Sequence, residues 1–172
     1  MSTTETILSG QTVSRIRRNH GLEHATLHVL AEKHPRVSMA GHSDSEGFWL
    51  IGDVPTEAVE EAVTVALSRL QAGEEELAIH PNCGTNFVVS GFIAGMAAWL
   101  GMLGAGKSLR SKLERIPMVI SLTTMALFFA QPVGLMLQAR FTTSGQPGNL
   151  QVSKISATQR GRFPAHRVLT DG

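Results

Sequence analysis

The apolar positions of this chain change their period several times, and each change marks an element. From about Val13 to Lys33 they repeat as on a helix. At roughly 100° per residue, Ile16, His20, Glu23, His24, Leu27, Leu30 and Ala31 fall in one broad sector, whereas Arg15, Arg18, Glu32 and Lys33 point elsewhere. His34-Pro35 ends that helix. Arg36–His42 and Phe48–Gly52 read as two short strands around the turn-rich Ser43-Asp44-Ser45-Glu46-Gly47, a hairpin. Pro55 opens a second helix over Thr56–Gln71, with an apolar stripe of Val59, Ala62, Val63, Ala66, Leu67 and Leu70. Glu57, Glu60 and Glu61 favour its first turn, and Gly73 stops it. Leu77–His80 reads as a third strand. The order is α-β-β-α-β, which predicts a small α+β domain over residues 13–85 behind a flexible N-terminus, residues 1–12.

The pattern then loses its polar positions. Residues 87–106 and 116–137 contain no charged side chain, and each run is long enough to span a bilayer core of ~30 Å. Two transmembrane helices forming a hairpin over 87–137 are expected, with a buried soluble hairpin as the alternative. Gly91-x-x-x-Gly95 offers a face for close helix packing, within the chain or with a second copy. Gln131-Pro132 predicts a kink, with Gln131 turned toward protein. Between the runs, Lys107, Arg110, Lys112 and Arg115 outnumber the single acid Glu114; the positive-inside rule favours a cytoplasmic loop and termini outside, against which stands the lack of an export signal for the N-terminal domain. The expected location is the bacterial inner membrane, crossed twice, with both termini on one side; the side that the N-terminal domain faces is left open. Residues 138–172, rich in Gly, Ser, Thr, Pro and Arg, predict an extended or disordered tail.

Composition removes several alternatives. The net charge is +1 and no dense basic patch is interleaved with aromatics, so nucleic acid is not an expected partner. The single cysteine, Cys83, excludes an internal disulfide. The polar start, MSTTETILSGQTVSRIRR, has no apolar core of a signal peptide.

The candidate chemistry sits on the inward face of the first helix. His20-Gly21-Leu22-Glu23-His24 reads H-x-x-E-H, which puts two imidazoles one turn apart with a carboxylate beside them. Burying two histidines and a glutamate without partners is costly, and a metal or a dense hydrogen-bond network removes that cost. A second cluster, His80-Pro81-Asn82-Cys83-Gly84-Thr85, lies directly before the first apolar run. H-x-x-C spacing can bring two more ligands to one ion. His20, His24, His80 and Cys83 are therefore the candidate ligands of a divalent metal, zinc first, with Glu23 as the candidate general base. His28, at the edge of the helical face, reads as a surface residue, and His166 falls in the tail.

The paired motifs H-G-x-E-H and H-P-x-C-G-T, in that order before a membrane segment, are similar to those of the YqhQ-type family of bacterial membrane proteins. That resemblance extends over roughly residues 20–105 and implies a metal-dependent enzyme. This chain departs from the family in its two apolar helices, its hairpin and its tail. Three functions follow from the residues. One is a membrane-anchored zinc hydrolase or peptidase. The second is a non-catalytic subunit or assembly factor of a larger membrane complex with a structural metal. The third is an enzyme using Cys83 as nucleophile, activated by His80 or His24.

Overall fold

The computed structural model describes residues 10–172 and divides into two compact units. The first holds the chain up to His80 together with Ala139–Gly172; the second is Pro81–Gln138. Residues 1–9 of the expected flexible N-terminus lie outside the described residues.

In the first unit, α1 runs Gln11–Lys33, two residues earlier than its periodicity indicated, and α2 runs Thr56–Gln71 as expected. Between them β1 (Ala40–Asp44) and β2 (Gly47–Ile51) form the expected hairpin, paired antiparallel with Gly41 opposite Leu50 and Asp44 opposite Gly47.

Two expectations are corrected here. The segment expected as a third strand, Leu77–His80, contributes no strand; Glu75–Ala78 is a 3-10 turn that buries Leu77 and Ala78. Four residues with two apolar ones carry too little pattern to separate a strand from a turn. The tail, expected to be extended or disordered, instead forms β3 (Gln151–Arg160) and β4 (Phe163–Asp171). Gly161, at φ +64°, turns one into the other. The sheet order is β1-β2-β4-β3, antiparallel throughout, so the C-terminal strand β4 lies inside the sheet. Most of β3 is exposed, and that half-wet face gives it the polar composition of a linker.

Alternation sorts the two faces of this sheet. Phe48 and Leu50 lie opposite Val168 and His166 and face the core, and both are buried. Trp49 points the other way and lies opposite Arg167, with the Arg167 and Arg160 guanidiniums 5.1 and 5.3 Å from its ring centre. Leu22 and Leu30 of α1, Val59 and Val63 of α2, and Leu150 close the core. Each such burial stabilises by about 1.5–3 kcal/mol.

The second unit contains α3 (Gly84–Met102), a short α4 (Leu109–Leu113) and α5 (Ile116–Leu137). α3 and α5 are long and apolar enough to cross a membrane, and little of either is buried within the unit. The close approach between them does not use Gly91 and Gly95, where an added Cβ would meet nothing within 4 Å among the described residues. It uses Gly101, where a Cβ would lie 2.9 Å from Val119, and Gly134, where it would lie 2.8 Å from Asn86. Gln131 is exposed, contrary to expectation. The inward stripe of α5 and the turn after it is Ala130, Gly134 and Gln138, one turn apart each, and Gln131 lies about 100° off it. The polar groups that are buried in this unit are Asn86 and Gln138. Asn86 Nδ2 donates to the Pro81 carbonyl at 2.8 Å and Gln138 Nε2 to Asn86 Oδ1 at 3.4 Å.

Candidate functional site

The candidate residues of the first unit gather where α1 meets the 3-10 turn and the returning chain. Leu22, Ala25 and Leu30 fix α1 in the core, and this rotation also turns His24 and Glu23 inward, at 2% and 3% exposure. The His24 ring is held by a hydrogen bond between Nδ1 and the Ala78 carbonyl, 2.8 Å. His20 is held in the same way, with Nδ1 2.9 Å from the Thr142 carbonyl. A carbonyl only accepts, so each Nδ1 carries a proton, and in the neutral ring the lone pair is on Nε2. This tautomer, anchored by backbone on the far nitrogen, is the one found in metal-ligating histidines. The two rings are 4.3 Å apart, centre to centre, and each offers a nitrogen within 4.8 Å of the other's.

His20 therefore depends on the segment after Gln138. There Ser144 N donates to the Arg17 carbonyl at 2.9 Å, and an Arg17 guanidinium nitrogen donates to the carbonyls of Thr143 and Arg140, at 3.0 and 3.1 Å. Gly21 is what admits this strand of backbone: a Cβ there would lie 2.0 Å from the Ser144 carbonyl oxygen. The glycine of H-G-x-E-H thus has a steric role in this fold.

His80 also belongs to this cluster. Its ring centre lies 5.6 Å from that of His24 and 5.0 Å from that of His28. Burial, then the nearby His24 and His28, push its pKa down to about 4, so it is neutral at physiological pH. His28, expected at the surface, is part-buried and bonds through Nε2 to the Ile79 carbonyl at 2.9 Å. That bond puts its proton on Nε2, the opposite tautomer to His20 and His24. The signal for His28 was its spacing, one further turn along the same stripe.

Glu23 turns to the sheet. Its carboxylate accepts a hydrogen bond from the Ser43 hydroxyl and lies against Gly41, where a Cβ would fall within 2.0 Å of it. Burial raises the Glu23 pKa, while the Ser43 bond and the charge of His20 oppose the rise. Ser43 and Gly41 are site residues that sequence pattern alone does not mark: both lie in β1, far in sequence from Glu23, and neither is an ionisable or metal-ligating side chain.

Cys83 falls in the second unit, three residues beyond His80 in the chain. It is the N-cap residue of α3 and is buried, at 6% exposure. Of the five candidates, the first unit brings His20, His24 and His80 together and turns Glu23 toward Ser43 and Gly41, while Cys83 belongs to the second unit.

The fold and site so far define an α+β unit carrying a buried histidine cluster, joined to a hairpin of two long apolar helices. The chain belongs to the family described as Domain of unknown function (DUF6391), which matches residues 15–155. That span takes in the histidine cluster, the apolar hairpin and the start of β3. The chain is also similar to an uncharacterised protein of Picosynechococcus sp. (strain ATCC 27264 / PCC 7002 / PR-6). The two are 42% identical over 98 residues, which cover 49% of this chain and 48% of the relative. The chain thus spans about half the length of that curated relative. No solved structure matches it.

Proposed function

We propose that this protein is a two-pass integral membrane protein that holds a divalent metal, zinc first, through His20, His24 and Cys83. The observation that carries the reading is the pair of imidazoles, each held at Nδ1 by a backbone carbonyl and each offering a ring nitrogen within 4.8 Å of the other's. Cys83 is assigned as third ligand by the H-x-x-C spacing, which limits its distance from His80 to three residues of chain. His80, neutral at physiological pH, is the fourth candidate or a support for His24. One thiolate and two or three imidazoles are a donor set that zinc favours. The YqhQ-type resemblance adds a metal-dependent enzyme to this reading.

Membrane insertion rests on the second unit. Phe87, Val88, Phe92, Ile120, Phe128 and Phe129 are each more than half exposed on α3 and α5. A core helix of a soluble protein would bury such residues, and a bilayer covers them without a protein partner. The location proposed is the bacterial inner membrane.

As a hydrolase, the protein would use a bound zinc as a Lewis acid toward the substrate carbonyl. Its own residues would do the rest. His20 and His24 hold the site, and Glu23 takes the proton from the attacking water. Burial raises the Glu23 pKa, the direction that makes a carboxylate a stronger base. A second reading has a specific observation in its favour. Glu23 is sealed against Gly41 and already bonded to Ser43, the geometry of a structural group. On that reading the metal is structural, and the protein is a non-catalytic subunit or assembly factor of a larger membrane complex.

The test is metal content and hydrolysis of unspecific peptide and ester substrates by the full chain in detergent. Loss of hydrolysis in Glu23→Gln with metal retained supports the enzyme. Retained metal with no hydrolysis in the wild type supports the structural reading.

A further inference from the structure

The basic loop of the second unit presents an exposed, charged surface of its own. It is tethered at both ends to apolar helices: α3 ends at Met102 and α5 begins at Ile116. Between them, the Ser108 side chain caps α4 by accepting from Ser111 N at 3.2 Å, which gives this five-residue turn a defined phase. Leu109 and Leu113, one turn apart, share a face and are 74% and 53% exposed. Lys107, Arg110 and Lys112 are exposed around them, and Arg115 is half-buried. The one acid, Glu114, bonds Arg110 at 3.1 Å in a highly exposed pair that neutralises little. One helical turn from the end of α3 sits Trp99, 58% exposed, a side chain favoured at the level of lipid headgroups.

We propose that this loop is a binding surface for acidic phospholipid headgroups. Leu109 and Leu113 enter the upper acyl region, Lys107, Arg110, Lys112 and Arg115 hold the phosphates, and Trp99 marks the headgroup level. The proposal rests on the membrane reading of the hairpin. Lipid is the occupant the position dictates. A loop held between two membrane helices cannot leave the bilayer surface, and its charge complements an anionic leaflet. Each basic residue near such a surface adds about fivefold in local affinity.

The experiment reconstitutes the full chain, with Trp49→Phe so that Trp99 is the sole tryptophan, into phosphatidylcholine vesicles containing a minority of phosphatidylglycerol. Bromine is carried on the acyl chains of one lipid or the other, and Trp99 quenching is measured. Brominated acidic lipid is expected to quench Trp99 as if enriched at least about fivefold over its bulk fraction. The excess should vanish in Lys107→Gln/Arg110→Gln/Lys112→Gln/Arg115→Gln. In the protein without those loop substitutions it should fall in high salt, an arm that does not depend on how the variant folds. Quenching by both lipids in proportion to bulk composition overturns the lipid preference while leaving the hairpin in the membrane. Quenching by neither overturns the preference and the membrane reading together.

Discussion

Two glycines determine which side chains reach the histidine cluster. At Gly21 a methyl group would press into the Ser144 carbonyl, and at Gly41 into the Glu23 carboxylate. Gly21→Ala is expected to lower stability by about 1–3 kcal/mol, because its clash is with backbone, and to weaken metal retention through the displaced Thr142 anchor of His20. Gly41→Ala meets a side chain that can swing, so it should cost less stability and instead move Glu23. Urea unfolding of both variants alongside metal content checks the contrast; equal losses would remove the distinction. Glu23→Gln should keep the metal and, if the protein hydrolyses a substrate, slow turnover about 10²–10⁴-fold.

His166 gives a separate pH signature. It is 4% exposed, bonds Thr56 Oγ1 through Nε2 at 3.0 Å, and has no hydrogen-bond partner at Nδ1 among the described residues. Burial lowers its pKa below the usual 6.5. The unfolded chain therefore binds the proton first as pH falls. The contribution of His166 to stability is full above about 6.5 and is lost as pH drops through the lowered value. His166→Asn should flatten the pH dependence of Tm below neutrality relative to wild type; an unchanged slope would assign that dependence to other groups.

At the scale of elements, helices were readable and strands only in part. α1 and α2 carry long amphipathic stripes, and the two apolar runs need nothing but hydropathy. The runs ended close to where they were expected, at Met102 and Leu137. β3 and β4 leave little signature in the sequence because one face of β3 is wet and its residues are those of a linker. The packing face of the hairpin was also not legible. G-x-x-x-G identifies small residues but not their partner, and Gly101 and Gly134 do the packing. Gly134→Leu should therefore disrupt the hairpin, lowering Tm in detergent, whereas Gly91→Leu and Gly95→Leu should leave the monomer unaffected. If Gly91→Leu destabilises the chain as much as Gly134→Leu, that face is occupied by a second copy or a partner.

At the scale of the whole molecule, the first unit is completed by the chain that returns after the apolar hairpin. β4 lies between β2 and β3, Leu150 and Val168 are fully buried, and Arg18 bonds Asn149 at 2.8 Å. Deleting residues 151–172 is expected to unfold the first unit rather than trim it, with loss of protease resistance. Survival of a folded product would contradict the placement of β4. The same closure limits how much of the candidate site is legible in the sequence. H-x-x-E-H and H-P-x-C were visible as motifs, since they are local. The Thr142 anchor, Ser43 and the fit of Gly21 depend on chain returning from far away in sequence, and no local pattern encodes them.

The metal is the centre of the proposal, and elemental analysis of the detergent-purified full chain tests it most directly, with His24→Ala purified in parallel. About one zinc or other divalent ion per chain is predicted for the wild type, falling to background in His24→Ala while the helical signal is kept. A wild-type protein with no stoichiometric metal, or a His24→Ala variant that retains it, would contradict the assignment of His20, His24 and Cys83.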